Sequence, residues 1–176
     1  MERRIYSQGP EITAGGVSFR TWADKRKQVS LVVLADGGSV LRELPLAEES
    51  NGYRSVLDPA SGAGTLYKYC IDGDLFPDLA SRFQPLGVHG PSQVVDGKSF
   101  AWTDGAWTRP KLQEFVIYEL HVGTFSSDGK FTSIAERFEH LKKIGITAIE
   151  LMPIADFPGD RNWGYDGVSI YAPSRV

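Results

Sequence analysis

The sequence predicts a β-sandwich followed by the first β-α-β unit of an incomplete (β/α)8 barrel, and three observations carry that expectation. Residues 16–71 are short runs of alternating or β-branched side chains separated by glycine turns. After Glu114 the apolar period changes from two to that of a helix set between two strands. The chain then ends at Val176, whereas a full eight-fold barrel takes about 250 residues. The division expected is residues 1–111 for the sandwich with its linker and 112–176 for the opening of the barrel.

Each element has a local reason. Val17 to Trp22 alternates, Val29 to Leu34 is a β-branched run, and Tyr53–Leu57 and Thr65–Ile71 follow. Asp36-Gly37-Gly38, Asn51-Gly52 and Gly62-Ala63-Gly64 separate them as turns. Strands at this spacing suit a sandwich. Residues 72–97, rich in Pro, Gly, Asp and Ser, read as an ordered excursion leaving it, and Trp102, Trp107 and Pro110 mark a linker or packing seam. Phe115–Val122 is the next strand expected. Ser133 with Glu136 reads as a capping box, Ile134, Phe138 and Leu141 give one apolar helix face, and Gly145 suits a left-handed C-cap. Ile146–Met152 has little polar alternation, as a parallel strand covered on both faces should.

Composition excludes several classes of function. The 176 residues are 41% hydrophobic and 23% charged, with 22 acidic and 19 basic side chains and a net charge of −3, so no basic patch favours nucleic acid. Cys70 stands alone, excluding an internal disulfide and a cysteine metal cluster, and a reducing cytoplasm is the expected setting. The opening Met1–Tyr6 lacks the apolar run of an export signal, and no membrane span is expected. His89, His121 and His140 are too scattered for a metal site. There is no phosphate loop, nucleophile elbow or His-Glu-x-x-His motif.

The chemically suggestive stretch is Pro153 to Gly167, directly after the second strand of the β-α-β unit. Loops at the carboxyl ends of barrel strands form the functional face. There Trp163 and Tyr165 offer flat apolar rings to a sugar, and Asp156, Asp160 and Asp166 offer acceptors to its hydroxyls. The same residues suit a loop in which the rings pack and Asp166 caps a turn. His121, at the end of the first strand, could line a pocket or serve as a satisfied structural histidine, and Glu119 and Glu150 read as strand carboxylates. Glycoside hydrolysis usually needs two carboxyl groups flanking the scissile bond. Nothing in the spacing of these aspartates singles out such a pair.

Four stretches, Gly16–Ala23, Pro77–Ser92, Tyr118–Phe125 and Gly145–Asp166, resemble the α-amylase superfamily, glycoside hydrolase family 13, and within it the trehalohydrolase branch. Leu79 departs from the family pattern, which has proline there. The resemblance implies an immunoglobulin-like sandwich of the carbohydrate-binding-module type ahead of a catalytic barrel. It implies a retaining mechanism, an α-glucan or malto-oligosyltrehalose as substrate, trehalose as product, and no cofactor or metal. It makes Tyr165 a stacking platform and Asp166 a polar neighbour; Trp163 and His121 join them as substrate-binding candidates on the reading of the residues given above. The family's catalytic carboxylates fall on later strands, so none is assigned and this chain alone is expected to be inactive. A branching or isoamylase-type debranching enzyme is the alternative. So is a non-catalytic module, in which Trp22, Trp102 and Trp107 serve as core or seam. Residues 113–176, with an unpaired barrel edge, are expected to be less stable than the sandwich or to self-associate.

Overall fold

The computed structural model describes residues 4–175. Met1–Arg3, part of the opening read as lacking an export signal, and Val176 lie outside them. The first nine strands are β1 (Glu11–Thr13), β2 (Gly16–Trp22), β3 (Val29–Leu34), β4 (Val40–Pro45), β5 (Ala47–Glu48), β6 (Tyr53–Asp58), β7 (Leu66–Ile71), β8 (Asp74–Phe76) and β9 (Ser92–Gln93). They form two antiparallel sheets, one ordered β1-β2-β6-β5 and the other β4-β3-β7-β8, with β9 also on β7.

The period-two pattern decides what lies between the sheets. Val17 and Phe19 point inward from β2, Val29, Leu31 and Val33 from β3, and Tyr67 and Tyr69 from β7, all in one buried cluster. Phe19 meets Tyr67 edge to face with centroids 4.9 Å apart. The sheet-forming residues of the sequence expectation are therefore right, and β1, β4, β5, β8 and β9 are added to them. Val40 to Pro45 escaped notice because β4 alternates only between exposed and half-buried positions.

Residues 72–97 were expected to leave the sandwich, yet they fold back onto it. β9 pairs with Leu66 and Tyr67, and Val94 enters the core. The return is fastened by Asp78, whose Oδ2 accepts from the Tyr67 hydroxyl at 2.8 Å and whose Oδ1 accepts from the Ala80 N–H at 2.8 Å. The Asp78 N–H donates to Ser92 Oγ at 3.0 Å. Burial pushes the Asp78 carboxyl up to about 6, against the pull of the Ala80 N–H, the Tyr67 hydroxyl, Arg82 and Arg4.

Beyond the linker lie β10 (Ile117–Leu120), α1 (Val122–Phe125), α2 (Phe131–Ala135), α3 (Phe138–Lys143), β11 (Ala148–Leu151), β12 (Ala155–Asp156) and β13 (Ser169–Pro173). β10 and β11 run parallel, from Ile117 opposite Ala148 to Leu120 opposite Leu151, and β12 pairs antiparallel with β13. Four expectations change here. The first strand stops at Leu120, since Val122 already begins a helical turn. The single helix is two short ones, interrupted at Glu136 and Arg137. Ser133 lies inside α2 and is not its cap; its hydroxyl instead donates to Asp128 Oδ2 at 2.6 Å. The strand expected to be covered on both faces is half-open, with Leu151 38% exposed and Ile117, on the paired strand β10, 57% exposed.

Gly145 does close α3 in the left-handed region, at φ +91°. Its N–H reaches the Lys142 carbonyl, and the Ile146 N–H reaches that of Leu141. This double bond pattern satisfies carbonyls left over at the helix end. The tryptophans correct another expectation: Trp22, Trp102 and Trp107 are all exposed, so none of them is core. No helix among the described residues is long and apolar enough to cross a membrane.

Candidate functional site

The parallel pair sets the site by delivering two chain segments to the same end. Leu120 and Leu151 are the last paired residues of β10 and β11. His121 and Met152 follow them at once, and the Met152 N–H donates to the Leu120 carbonyl at 2.9 Å. The loop that returns from β12 then folds against these two side chains. His121 Nε2 lies 3.1 Å from Asn162 Oδ1, which also accepts the Gly164 N–H at 2.5 Å. Because that oxygen only accepts, the ring proton belongs on Nε2, leaving the Nδ1 lone pair as an acceptor. Nδ1 is buried and has no hydrogen-bond partner.

Gly164 is what allows the close approach. Its φ is +91°, and a Cβ there would lie 2.8 Å from Met152 Cε and 3.3 Å from His121 Cδ2. A larger residue would be strained in backbone and crowded by both side chains. The residues on either side of Gly164 face outward. Trp163 is 85% exposed and Tyr165 71% exposed, and Asp166 uses Oδ2 to accept the Trp163 N–H at 2.9 Å.

Of the four expected binding residues, only His121 lines a cleft of about 890 Å³ between residues 121–132 and 152–162. Trp163, Tyr165 and Asp166 form a separate rim. Asn162, Asp160 and Arg161 line the cleft with His121 but were not singled out for it from the sequence, apart from the acidic character of Asp160. Only the three-dimensional return of the loop onto His121 marks them. Across the cleft, Asp128 is held by the Ser133 and Ser126 hydroxyls, which keep its carboxyl below the ordinary range. Asp156 is fully buried on β12, where Arg175 Nη1 donates to its Oδ1 at 3.3 Å. Glu119 and Glu150 face each other across the parallel pair, both exposed. No group of three metal-ligating side chains is assembled among the described residues.

This geometry belongs to a chain whose relatives are recognisable. Residues 7–78 match carbohydrate-binding module 48, the isoamylase N-terminal domain. The matched residues take in β1 to β8 of the antiparallel sandwich, which is similar to that domain. Along 93% of its length the chain is 41% identical to a malto-oligosyltrehalose trehalohydrolase of Saccharolobus solfataricus, covering 28% of that protein. It is 31% identical over 90% of its length to a 1,4-alpha-glucan branching enzyme of Xanthomonas euvesicatoria, covering 23% of it. A Salmonella typhimurium crystal structure provisionally named an alpha amylase superposes with a TM-score of 0.87 at 37% identity, over 96% of this chain and 28% of that one. The resemblance read from the sequence therefore holds: the chain is similar to malto-oligosyltrehalose trehalohydrolases throughout most of its length. It spans little more than a quarter of the first of them.

Proposed function

We propose that this chain is the N-terminal part of a retaining α-glucan hydrolase of glycoside hydrolase family 13, one that releases trehalose from malto-oligosyltrehalose. The observation that carries the reading is the 41% identity to a trehalohydrolase over nearly the whole chain, well above the 31% to the branching enzyme. The parallel β10–β11 pair supports a second layer to the proposal, that residues 112–176 open a (β/α)8 barrel behind the sandwich of residues 1–111. On this reading His121 and the Trp163–Asp166 rim stand on the functional face, at the carboxyl ends of the first two barrel strands. The setting proposed is cytoplasmic. The exposed apolar edge of β10 and β11 is proposed to associate with a second copy when nothing else covers it.

Within these residues the chemistry is binding. Tyr165 supplies a ring face, Asp166 a carboxylate engaged in its own turn, and His121 a held imidazole. Cleavage needs an acid and a nucleophile placed on either side of the glycosidic bond, and Glu119 and Glu150 are exposed on the strand pair and do not line the cleft. Purified chain of residues 1–176 mixed with malto-oligosyltrehalose should therefore release no trehalose above a buffer control, as read by product chromatography. The complete gene product should release it and leave glycogen branching unchanged. Altered branching without trehalose would favour the branching-enzyme reading.

A further inference from the structure

We infer that Asp156, Arg175 and Gly87 form a joint through which the sandwich positions the loop of residues 157–174, making Asp156 and Arg175 positioning residues for the Trp163–Asp166 rim. The inference rests on the family reading above for the task of the rim, and on geometry for the joint itself.

The loop is closed at its base around Asp156. β12 and β13 pair there, with Ala155 opposite Pro173 and Asp156 opposite Ser169. The Asp156 carbonyl accepts the Val168 N–H at 2.8 Å, and the Ile154 carbonyl accepts the Ser174 N–H at 2.7 Å. The Asp156 side chain adds a tie that reaches further, since Arg175, beyond the end of β13, donates from Nη1 to its Oδ1 at 3.3 Å. That carboxylate is fully buried, and its Oδ2 has no hydrogen-bond partner among the described residues. A buried charge so sparsely bonded depends on its cation. Arg175 is therefore drawn to one place by Asp156, and the chain between the two residues carries the whole rim.

The guanidinium meets the sandwich as well. A Cβ on Gly87 would lie 3.5 Å from Nη2, 3.6 Å from Cζ and 3.7 Å from Nη1 of Arg175. Distances so nearly equal mean that the group turns its flat face to Gly87, which leaves an N–H edge for Asp156. Gly87 is buried although Leu86 beside it is 66% exposed. Its φ is +84°, and the turn is fixed by the Gly87 N–H on the Gln84 carbonyl at 3.2 Å and the Gly90 N–H on the Gly87 carbonyl at 2.8 Å. This turn belongs to the excursion that Asp78 and β9 fasten to β7. Pro173 and Ser174 extend the seam, sharing a space of about 420 Å³ with Arg82, Phe83 and Val94. Direct contacts thus run from β7 through the excursion to the base of the rim loop, and the Asp156–Arg175 pair is where they cross.

The test follows amide signals of the isotopically labelled 176-residue chain by NMR. Gly87→Asn sets a side chain against the guanidinium while using a residue type that accepts the left-handed region. It should shift the signals of residues 156–168, although the substitution lies in the sandwich. In the Arg175→Lys background the same substitution should leave those signals in place, because lysine keeps a charge for Asp156 and offers Gly87 no planar face. Equal shifts in both backgrounds, or none at residues 156–168 in either, would overturn the joint. Unmoved signals from β2, β3 and β7 will show that the fold survives. Should Gly87→Asn fail to fold, Arg175→Gln decides alone: its shifts should reach both residues 84–90 and residues 162–166, and shifts confined to residues 172–175 would overturn the joint. In the complete gene product, Arg175→Gln should raise the KM for malto-oligosyltrehalose about two- to thirtyfold, the span of remote couplings of this kind, with a smaller change in kcat. A KM that is unchanged, or that moves less than kcat, would overturn the positioning role. If the gene product acts on branched glucan and not on malto-oligosyltrehalose, the family reading fails while the NMR arms still decide the joint.

Discussion

Asp78 shows how one side chain can make the sandwich sensitive to pH. Its folded carboxyl sits near 6, above the ordinary 3.8, because burial outweighs the hydrogen bonds from Ala80 and Tyr67. The folded state therefore holds a proton that the unfolded chain gives up between those two values. The stability this supplies is full below about 3.8, and it is lost as the pH rises through about 6. Denaturant midpoints measured across that window should fall for the native chain, and the slope should flatten in Asp78→Asn. An unchanged slope in that variant would assign the effect elsewhere. Tyr67→Phe should cost about 1–3 kcal/mol at neutral pH, since it strips the donor from a buried carboxylate oxygen. His121 makes a complementary point about reading residues from sequence. Its position at a strand end was legible. Its partner, Asn162, was not, because the contact spans a loop whose course depends on the positive φ of Gly164.

Among the elements, those with a strong internal period were the legible ones. Val17–Trp22 and Val29–Leu34 could be read directly, since every second side chain of β2 is buried and β3 is apolar enough to face a core on either side. Gly145 could be read as a helix stop from its identity alone. The Ser133 capping box failed because Asp128, five residues earlier, captures the hydroxyl that would have capped the backbone. β8 and β9 were missed because two or three residues carry no period, and their strand character comes entirely from pairing with β7. A stability difference follows from the same comparison. β2, β3 and β7 hold fully buried side chains, whereas in β10 only Leu120 is buried and β11 has no buried residue. Hydrogen exchange should be slowest in the first set and markedly faster across β10 and β11. Equal protection of the two in a monomer would contradict this.

At the scale of the whole molecule, apolar surface is distributed unevenly. The sandwich closes over its own core, while Ile117, Ile170 and Tyr171 are each more than half exposed, and Phe100, Trp102 and Trp107 line the linker in the open. Exposed apolar surface favours association where it forms a patch. Sedimentation velocity on the 176-residue chain should show mass rising with concentration, and Ile117→Lys should return it toward monomer. A concentration-independent monomer would set the self-association proposal aside. The folded-back excursion has a consequence of another sort. Its tips, Leu79 and Leu86, are among the more exposed side chains, yet the segment is pinned on one side by Asp78 and on the other by β9 and Val94. A protease that cuts at Leu86 would leave two pieces still stitched through β7. The nick would register as a new band on a denaturing gel, and the native particle would keep its size.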